Sequence, residues 1–77
     1  PNPTSGIQTL EIKTKVGSTL TIEIYDIMGR KVKEVFNGKT NAQLTHIEND
    51  VSDLVNSMYI YNIKLDGQFL NQKFIKH

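Results

Sequence analysis

The chain has 77 residues, no cysteine, and nine basic against eight acidic residues, which leaves a net charge of +1. This length predicts one small domain whose core needs nearly every apolar side chain, so its size argues against a deep substrate cleft. The missing cysteines exclude disulfides and zinc–thiolate sites, and the balanced charge argues against a nucleic-acid-binding protein.

Membrane and targeting segments are not visible in the sequence. No apolar run approaches the roughly 18 residues that a bilayer span requires, and no signal peptide is visible in this sequence. Because the chain begins at Pro1, we expect it to be a piece of a longer protein.

Period-two alternation of apolar and polar residues dominates the chain and predicts β-strands. Leu20, Ile22 and Ile24 share one strand face, while Tyr59 and Tyr61 belong to another apolar face. The segment 30–36 is less regular, because Val35 and Phe36 are adjacent and require a bulge or one outward side chain. In chain order, the predicted strands cover residues 7–14, 19–27, 30–36, 42–48, 58–65 and 68–76.

Glycine-containing turns separate most of these strands. The predicted turns are Val16-Gly17, Met28-Gly29, Asn37-Gly38 and Asp66-Gly67, and the last two carry the strongest short hairpin signals. A longer connector, residues 49–57, is predicted to cross between two sheets, with Val51 and Leu54 closing an open edge and with Ser52 able to cap one helical turn.

The pattern predicts an all-β fold, a small Ig-like or fibronectin-like antiparallel β-sandwich of six to seven strands.

Candidate chemistry is sparse. His46 and His77 have no cysteine or second histidine at metal-ligand spacing, which favours a structural or surface role. Ser52 beside Asp53 lacks the glycines of a nucleophile elbow. We therefore predict no enzyme activity and no cofactor.

Two binding possibilities stay open at this point. Asn49, Asp50 and Asp53 could hold a weak calcium ion, although a full set of oxygen ligands is not visible. Tyr25, Tyr59 and Tyr61 could form a sugar-stacking platform, although tyrosines in strands more often lie in the core.

Several motifs occur together in one order along the chain: PNPTSG, IEIYDIMGRKV, VSDL, MYIYNIKLDG and a terminal KFIK. In this order they resemble the C-terminal sorting domain of the type IX secretion system of Bacteroidota, type A, over essentially all 77 residues. The hairpin match rests on residues 24–26, Gly29 and Val32, and the connector match on Val51, Ser52 and Leu54. One departure is Ser57, where the family usually has glycine.

The resemblance implies a division into an entry linker, residues 1–6, and the sorting domain itself, residues 7–77. It also assigns residues to two roles. The segment read by the secretion machinery is expected at Lys73, Phe74, Ile75 and Lys76. The structural residues of the family motifs are expected at Pro1, Asn2, Pro3, Gly6, Gly29, Leu54, Tyr59 and Gly67.

The function that the resemblance implies is a non-catalytic secretion and sorting signal. Such a domain follows a larger cargo protein in the same chain and directs it through the periplasm to the cell surface. Its implied partners are the type IX outer-membrane machinery and a sortase-like peptidase that removes the domain. The alternative is an accessory carbohydrate- or protein-binding β-sandwich module.

Both ends of the chain suit the sorting role physically. Pro1 and Pro3 lack N–H donors and fix φ, so we expect a stiff, extended joint before the sandwich. Phe74 and Ile75 point to opposite faces of the last strand, and the sequence leaves open which one enters the core. A free edge at this strand permits recognition by strand addition, and it equally permits a dimer.

Overall fold

The structure is a computed structural model of the chain, and it describes residues 6–76. These residues form six strands: β1 (Ile7–Lys13), β2 (Thr19–Asp26), β3 (Lys31–Lys39), β4 (Leu44–Asp50), β5 (Ser57–Leu65) and β6 (Gln68–Lys76). The described part of the chain contains no helix, and therefore none long and apolar enough to cross a membrane.

The strands form two antiparallel sheets of unequal width. β1 and β4 make a two-stranded sheet, whereas the larger sheet has the order β3-β2-β5-β6. This arrangement confirms the predicted all-β sandwich, with six strands. β3 and β6 are the outer strands of the larger sheet, so each carries a free backbone edge within the described chain.

The core lies between the sheets and follows the predicted alternation. Leu20, Ile22 and Ile24 of β2 are fully buried, and Tyr59, Tyr61 and Ile63 of β5 are almost so. β2 and β5 are neighbours in the middle of the larger sheet, and their buried residues lie side by side. The smaller sheet and the connector cover this face with Leu10, Ile12, Ile47 and Val51.

Strand β3 contains the irregularity that its sequence predicts. Its pairing with β2 passes from Phe36 to Glu34 and later from Lys33 to Lys31, so Val35 and Val32 are each left out of the ladder. The extra residue at Val35 is a β-bulge, which lets the adjacent Val35 and Phe36 both pack against the core.

The Asp66-Gly67 hairpin is confirmed and has positive φ at both central residues, 48° and 87°. A two-residue hairpin of this kind needs such angles, which Asp and Gly tolerate better than most residues do. The Asp66 carboxylate also accepts the backbone N–H of Thr19, at 2.9 Å, and thereby ties the hairpin to the start of β2.

The predicted hairpin at Asn37-Gly38 was wrong, because both residues lie inside β3. Gly38 pairs with Leu20, and the chain turns only after Lys39, where it leaves the larger sheet for the smaller one. The edge position of β3 tolerates a glycine. A Cβ atom at Gly38 would make only an ordinary van der Waals contact with the Phe36 ring, at 3.9 Å.

The connector between β4 and β5 closes the sandwich as expected, with Val51 fully buried and Leu54 packed against the core. The connector does not contain the single helical turn that Ser52 was able to cap. Instead, the carboxylate of Asp50 accepts the Ser52 N–H at 2.9 Å, and the Leu54 N–H donates to the Val51 carbonyl at 3.0 Å. The connector is therefore a tight turn organised by Asp50.

The turn between β2 and β3 is organised by Asp26. Its carboxylate accepts the backbone N–H groups of Met28 and Arg30, each at 2.9 Å, and forms an ion pair with the Arg30 guanidinium at 3.0 Å. Gly29 completes the turn with a φ of 85°. The Arg30 N–H is the main reason that the pKa of Asp26 lies below its usual range, and burial opposes it.

This shift predicts a pH dependence of stability. A carboxyl group whose pKa is lowered in the folded state stabilises the fold above its unfolded pKa of about 3.9, and the contribution is lost as pH falls through the folded pKa. Asp26→Asn removes the carboxylate, so the urea midpoints of the native chain and the variant should converge as pH falls from 6 to 2.

Arg30→Ala is the matched control for that measurement. It removes the guanidinium but keeps the backbone N–H that lowers the Asp26 pKa most, so most of the pH dependence should remain. If the urea midpoints of the native chain and of Asp26→Asn differ by the same amount at every pH from 6 to 2, Asp26 is not the source of the pH dependence.

Candidate recognition surface

Strand β6 is the element to which the sequence assigns the recognition residues, and it lies at the edge of the larger sheet. Its residues 68–73 are all exposed, whichever face they occupy. Only its last part is covered, where Phe74 is half-buried and Lys76 is buried. β6 is therefore attached to the core near its end and uncovered along its first two thirds.

The attachment is aromatic. The Phe74 ring lies 4.7 Å from that of Tyr61 and 5.5 Å from that of Tyr59, measured between centroids. Offset and tilted aromatic pairs at such distances stabilise beyond the area that they bury. The Tyr59 hydroxyl is itself held by the Val55 carbonyl, at 2.6 Å. Phe74 thus faces the core, which answers the question that the sequence left open.

Ile75 and Lys73 consequently lie on the outer face of the larger sheet, which is turned away from β1 and β4. Ile75 is 53% exposed and pairs with Met58 of β5, which is also exposed. Lys73 pairs with Ile60, and Ile60 in turn pairs with Tyr25. The four segment residues are therefore divided: Lys73 and Ile75 are available to a partner, whereas Phe74 and Lys76 turn inward.

The outer face has a mixed apolar and basic character near the end of β6. Of the two lysines of β6, Lys73 lies on this face, and the strand has no acidic residue. The acidic Glu23, on the same face at β2, is engaged by Lys31 at 3.1 Å and by the Tyr25 hydroxyl at 3.0 Å. Its hydrogen bond with Lys31 holds the pKa of Glu23 below its usual range.

A polar contact between the sheets was not predicted from the sequence. The Tyr61 hydroxyl donates to the Gln8 side chain and accepts from the Asn49 side chain at 3.2 Å, and all three residues are buried. Burial raises the pKa of Tyr61, so the hydroxyl stays protonated and able to donate. Because Gln8 and Asn49 are paired across β1 and β4, this one tyrosine links both strands of the smaller sheet to β5.

An open groove lies between the sheets beside the free edge of β1, with a volume of about 430 Å³. Residues 9–13 of β1 form one wall, and Ile63, Leu65, Leu70 and Gln72 form the other. The smaller sheet has two strands and the larger one four, so the smaller sheet does not cover the whole inner face of the larger one.

The other family-motif residues are spread over the fold. Gly29 and Gly67 occupy turns, Leu54 and Tyr59 pack in or against the core, and the Gly6 carbonyl accepts the Val51 N–H at 2.8 Å. The described ones among these positions do not cluster into one site. Pro1, Asn2, Pro3 and His77 lie outside the described residues.

The remaining candidate chemistry is not assembled by the fold. Within residues 6–76, no group of three or more His, Cys, Asp or Glu side chains could hold a metal ion. Asp50 caps the connector, and Asp53 lies 4.0 Å from the Lys33 ammonium. His46 is exposed, with its Nδ1 atom 3.4 Å from the Glu11 carboxylate.

The three tyrosines do not form a stacking platform either. Tyr59 and Tyr61 are buried in the core, and Tyr25 lies on the opposite face of the sheet. Nothing in the fold supports the alternative of a carbohydrate- or protein-binding module.

The last strand of this small sandwich is exposed at a sheet edge, where a partner could bind. The family model for the secretion system C-terminal sorting domain matches residues 1–77. The chain therefore belongs to this family, and it is a C-terminal sorting signal for type IX secretion. No curated protein and no solved structure matches the chain.

Family membership carries several consequences. A sorting domain implies a type IX secretion machinery and a cargo protein to which the domain is fused. It also implies export to the cell surface or beyond. The family is not known for catalysis.

The division of β6 predicts unequal effects of two neighbouring substitutions on folding. Phe74→Ala removes the ring that packs on Tyr59 and Tyr61 and should lower the free energy of unfolding by about 2–3 kcal/mol. Ile75→Ala acts on an exposed residue and should change it by no more than about 0.5 kcal/mol. Urea unfolding followed by circular dichroism measures both; equal losses would show that β6 is not held by Phe74.

Proposed function

We propose that the secretion machinery recognises the end of β6, residues 73–76, through its outer face and its free backbone edge. In this proposal Lys73 and Ile75 contact the machinery directly. Phe74 and Lys76 contribute indirectly, because they hold the strand against the core in the orientation that presents the other two. The observation that carries the proposal is the exposure of Lys73 and Ile75 on a strand anchored by Phe74.

The mode of recognition that best fits this location is strand addition. An edge strand offers a row of backbone N–H and C=O groups to a partner strand, and side chains of alternating direction supply the specificity. β6 is such an edge, and its outer face offers apolar Ile75 beside Met58, with Lys73 next to them. An extended partner segment with apolar and acidic side chains would complement this surface.

We further infer that residues 1–6 form the joint between cargo and sorting domain. Two prolines within three residues disfavour strand pairing and stiffen an extended backbone, which keeps the segment accessible to a sortase-like peptidase. In this account the domain is a non-catalytic label. The cargo crosses the periplasm with the label attached and reaches the cell surface.

The free edge has a second potential occupant, which is another copy of the same domain. The proposal for sorting does not require a dimer, because one exposed β6 is sufficient for strand addition.

The test is export of a cargo fusion by a bacterium that has the type IX system. The double variant Lys73→Glu, Ile75→Asp changes the outer face of β6 and spares the Phe74 anchor. We expect it to reduce surface-delivered cargo at least about tenfold, with the cargo retained in the periplasm, because two contacts of the recognition surface are lost.

The matched control applies the same chemical changes away from β6. Lys13→Glu with Val16→Asp alters two exposed residues at the end of β1 and in the following turn. Export of this control should be normal. Point variants are preferable to deleting residues 73–77, since the deletion also removes Phe74 and would confuse misfolding with lost recognition. Normal export of the folded β6 variant would refute the proposal.

A further inference from the structure

We propose that β6 pairs with β6 of a second copy of this chain, forming an antiparallel dimer whose twofold axis passes beside Gln72. The two larger sheets then join edge to edge into one continuous eight-stranded sheet. A closed twofold interface of this kind uses the same surface on both copies, so the strand has to be complementary to itself.

The sequence of β6 meets that requirement. In an antiparallel pair centred on Gln72, Phe69 faces Ile75 of the second copy, and Leu70 faces Phe74 of the second copy. Asn71 then faces Lys73 of the second copy. Every apolar residue of the strand meets an apolar residue, and the two lysines of each copy face uncharged amides.

Neighbouring registers lose this match. Shifting the pair by two residues in one direction sets Phe69 opposite Lys73 and Leu70 opposite Gln72. The opposite shift sets the two copies of Lys73 against each other and Leu70 against Lys76. Neither alternative forms an apolar pair, so side-chain complementarity selects the register centred on Gln72.

The exposure of β6 supports the same conclusion. Phe69 and Leu70 are 66% and 62% exposed, although the small core needs apolar side chains. Leu70 lies at the open groove beside β1, on the inner face, whereas Phe69 lies on the outer face. An edge pair would cover both at once, since each gains an apolar neighbour from the second copy.

The dimer has one consequence for sorting. This consequence rests on the proposed function, whereas the dimer itself does not. It occupies the same free edge that the machinery would use, so a paired β6 is hidden and only the monomer can be recognised. With nine residues on each side, the interface buries less surface than the interfaces of stable dimers do. We therefore expect a dissociation constant on the order of 100 µM. Local concentration would then control access to the signal.

Cross-linking through a single introduced cysteine tests the register, because the native chain has no cysteine. Gln72→Cys places two thiols opposite each other at the twofold axis. Asn71→Cys and Lys73→Cys are the matched controls, since each thiol would face a different residue of the second copy. The disulfide-linked dimer should form several-fold faster for Gln72→Cys than for either control, on mild oxidation of the 77-residue chain.

Sedimentation equilibrium of the unmodified chain provides the second measurement. The weight-average mass should rise from monomer towards dimer with concentration. Phe69→Asp and Ile75→Lys should each abolish that rise, and their equimolar mixture should restore it, because the new charges face each other in the proposed register.

A chain that stays monomeric up to about 1 mM, or equal cross-linking at all three positions, would overturn the dimer. Neither result would contradict the sorting proposal, which is tested separately by export of the cargo fusion from cells.

Discussion

The packing of Phe74 on Tyr59 and Tyr61 fixes the last strand of this domain, and the exposed surface of that strand depends on it. Phe74 packs β6 on the core from its inner face, so its neighbours Lys73 and Ile75 point outward. The first two thirds of the strand lie beyond that contact and are exposed. One aromatic cluster therefore determines both how the chain ends its fold and what it presents to a partner.

The unequal width of the two sheets explains why this exposure persists. The apolar side chains of a 77-residue chain can complete one core, and here they do so along β2 and β5. Tyr61 adds a buried hydrogen-bond link to both strands of the smaller sheet, which aligns the two layers. Because that sheet has only two strands, it covers the centre of the larger sheet and leaves its β6 edge open. The domain thereby combines a fixed core with a sheet edge suited to strand addition.

Much of this fold could be predicted because strict alternation identifies a half-buried strand, as at Leu20, Ile22 and Ile24. The prediction of a hairpin at Asn37-Gly38 was wrong, because it rested on two adjacent residues. The end of β3 is instead determined by the pairing of β3 with β2. The sequence also could not predict which of Phe74 and Ile75 faces the core, since apolar residues occur on both faces of β6. The buried Gln8, Asn49 and Tyr61 contact joins residues far apart in the chain, and no spacing rule indicates it.

The most direct test of the central claim is amide hydrogen exchange of the 77-residue chain, free and in complex with the secretion machinery. The account predicts that binding slows exchange of the outward-pointing amides of β6, while the other free edge, β3, continues to exchange as in the free chain. Unchanged exchange along β6, with protection at β3 or at the turn around Gly29 instead, would contradict recognition through the last strand.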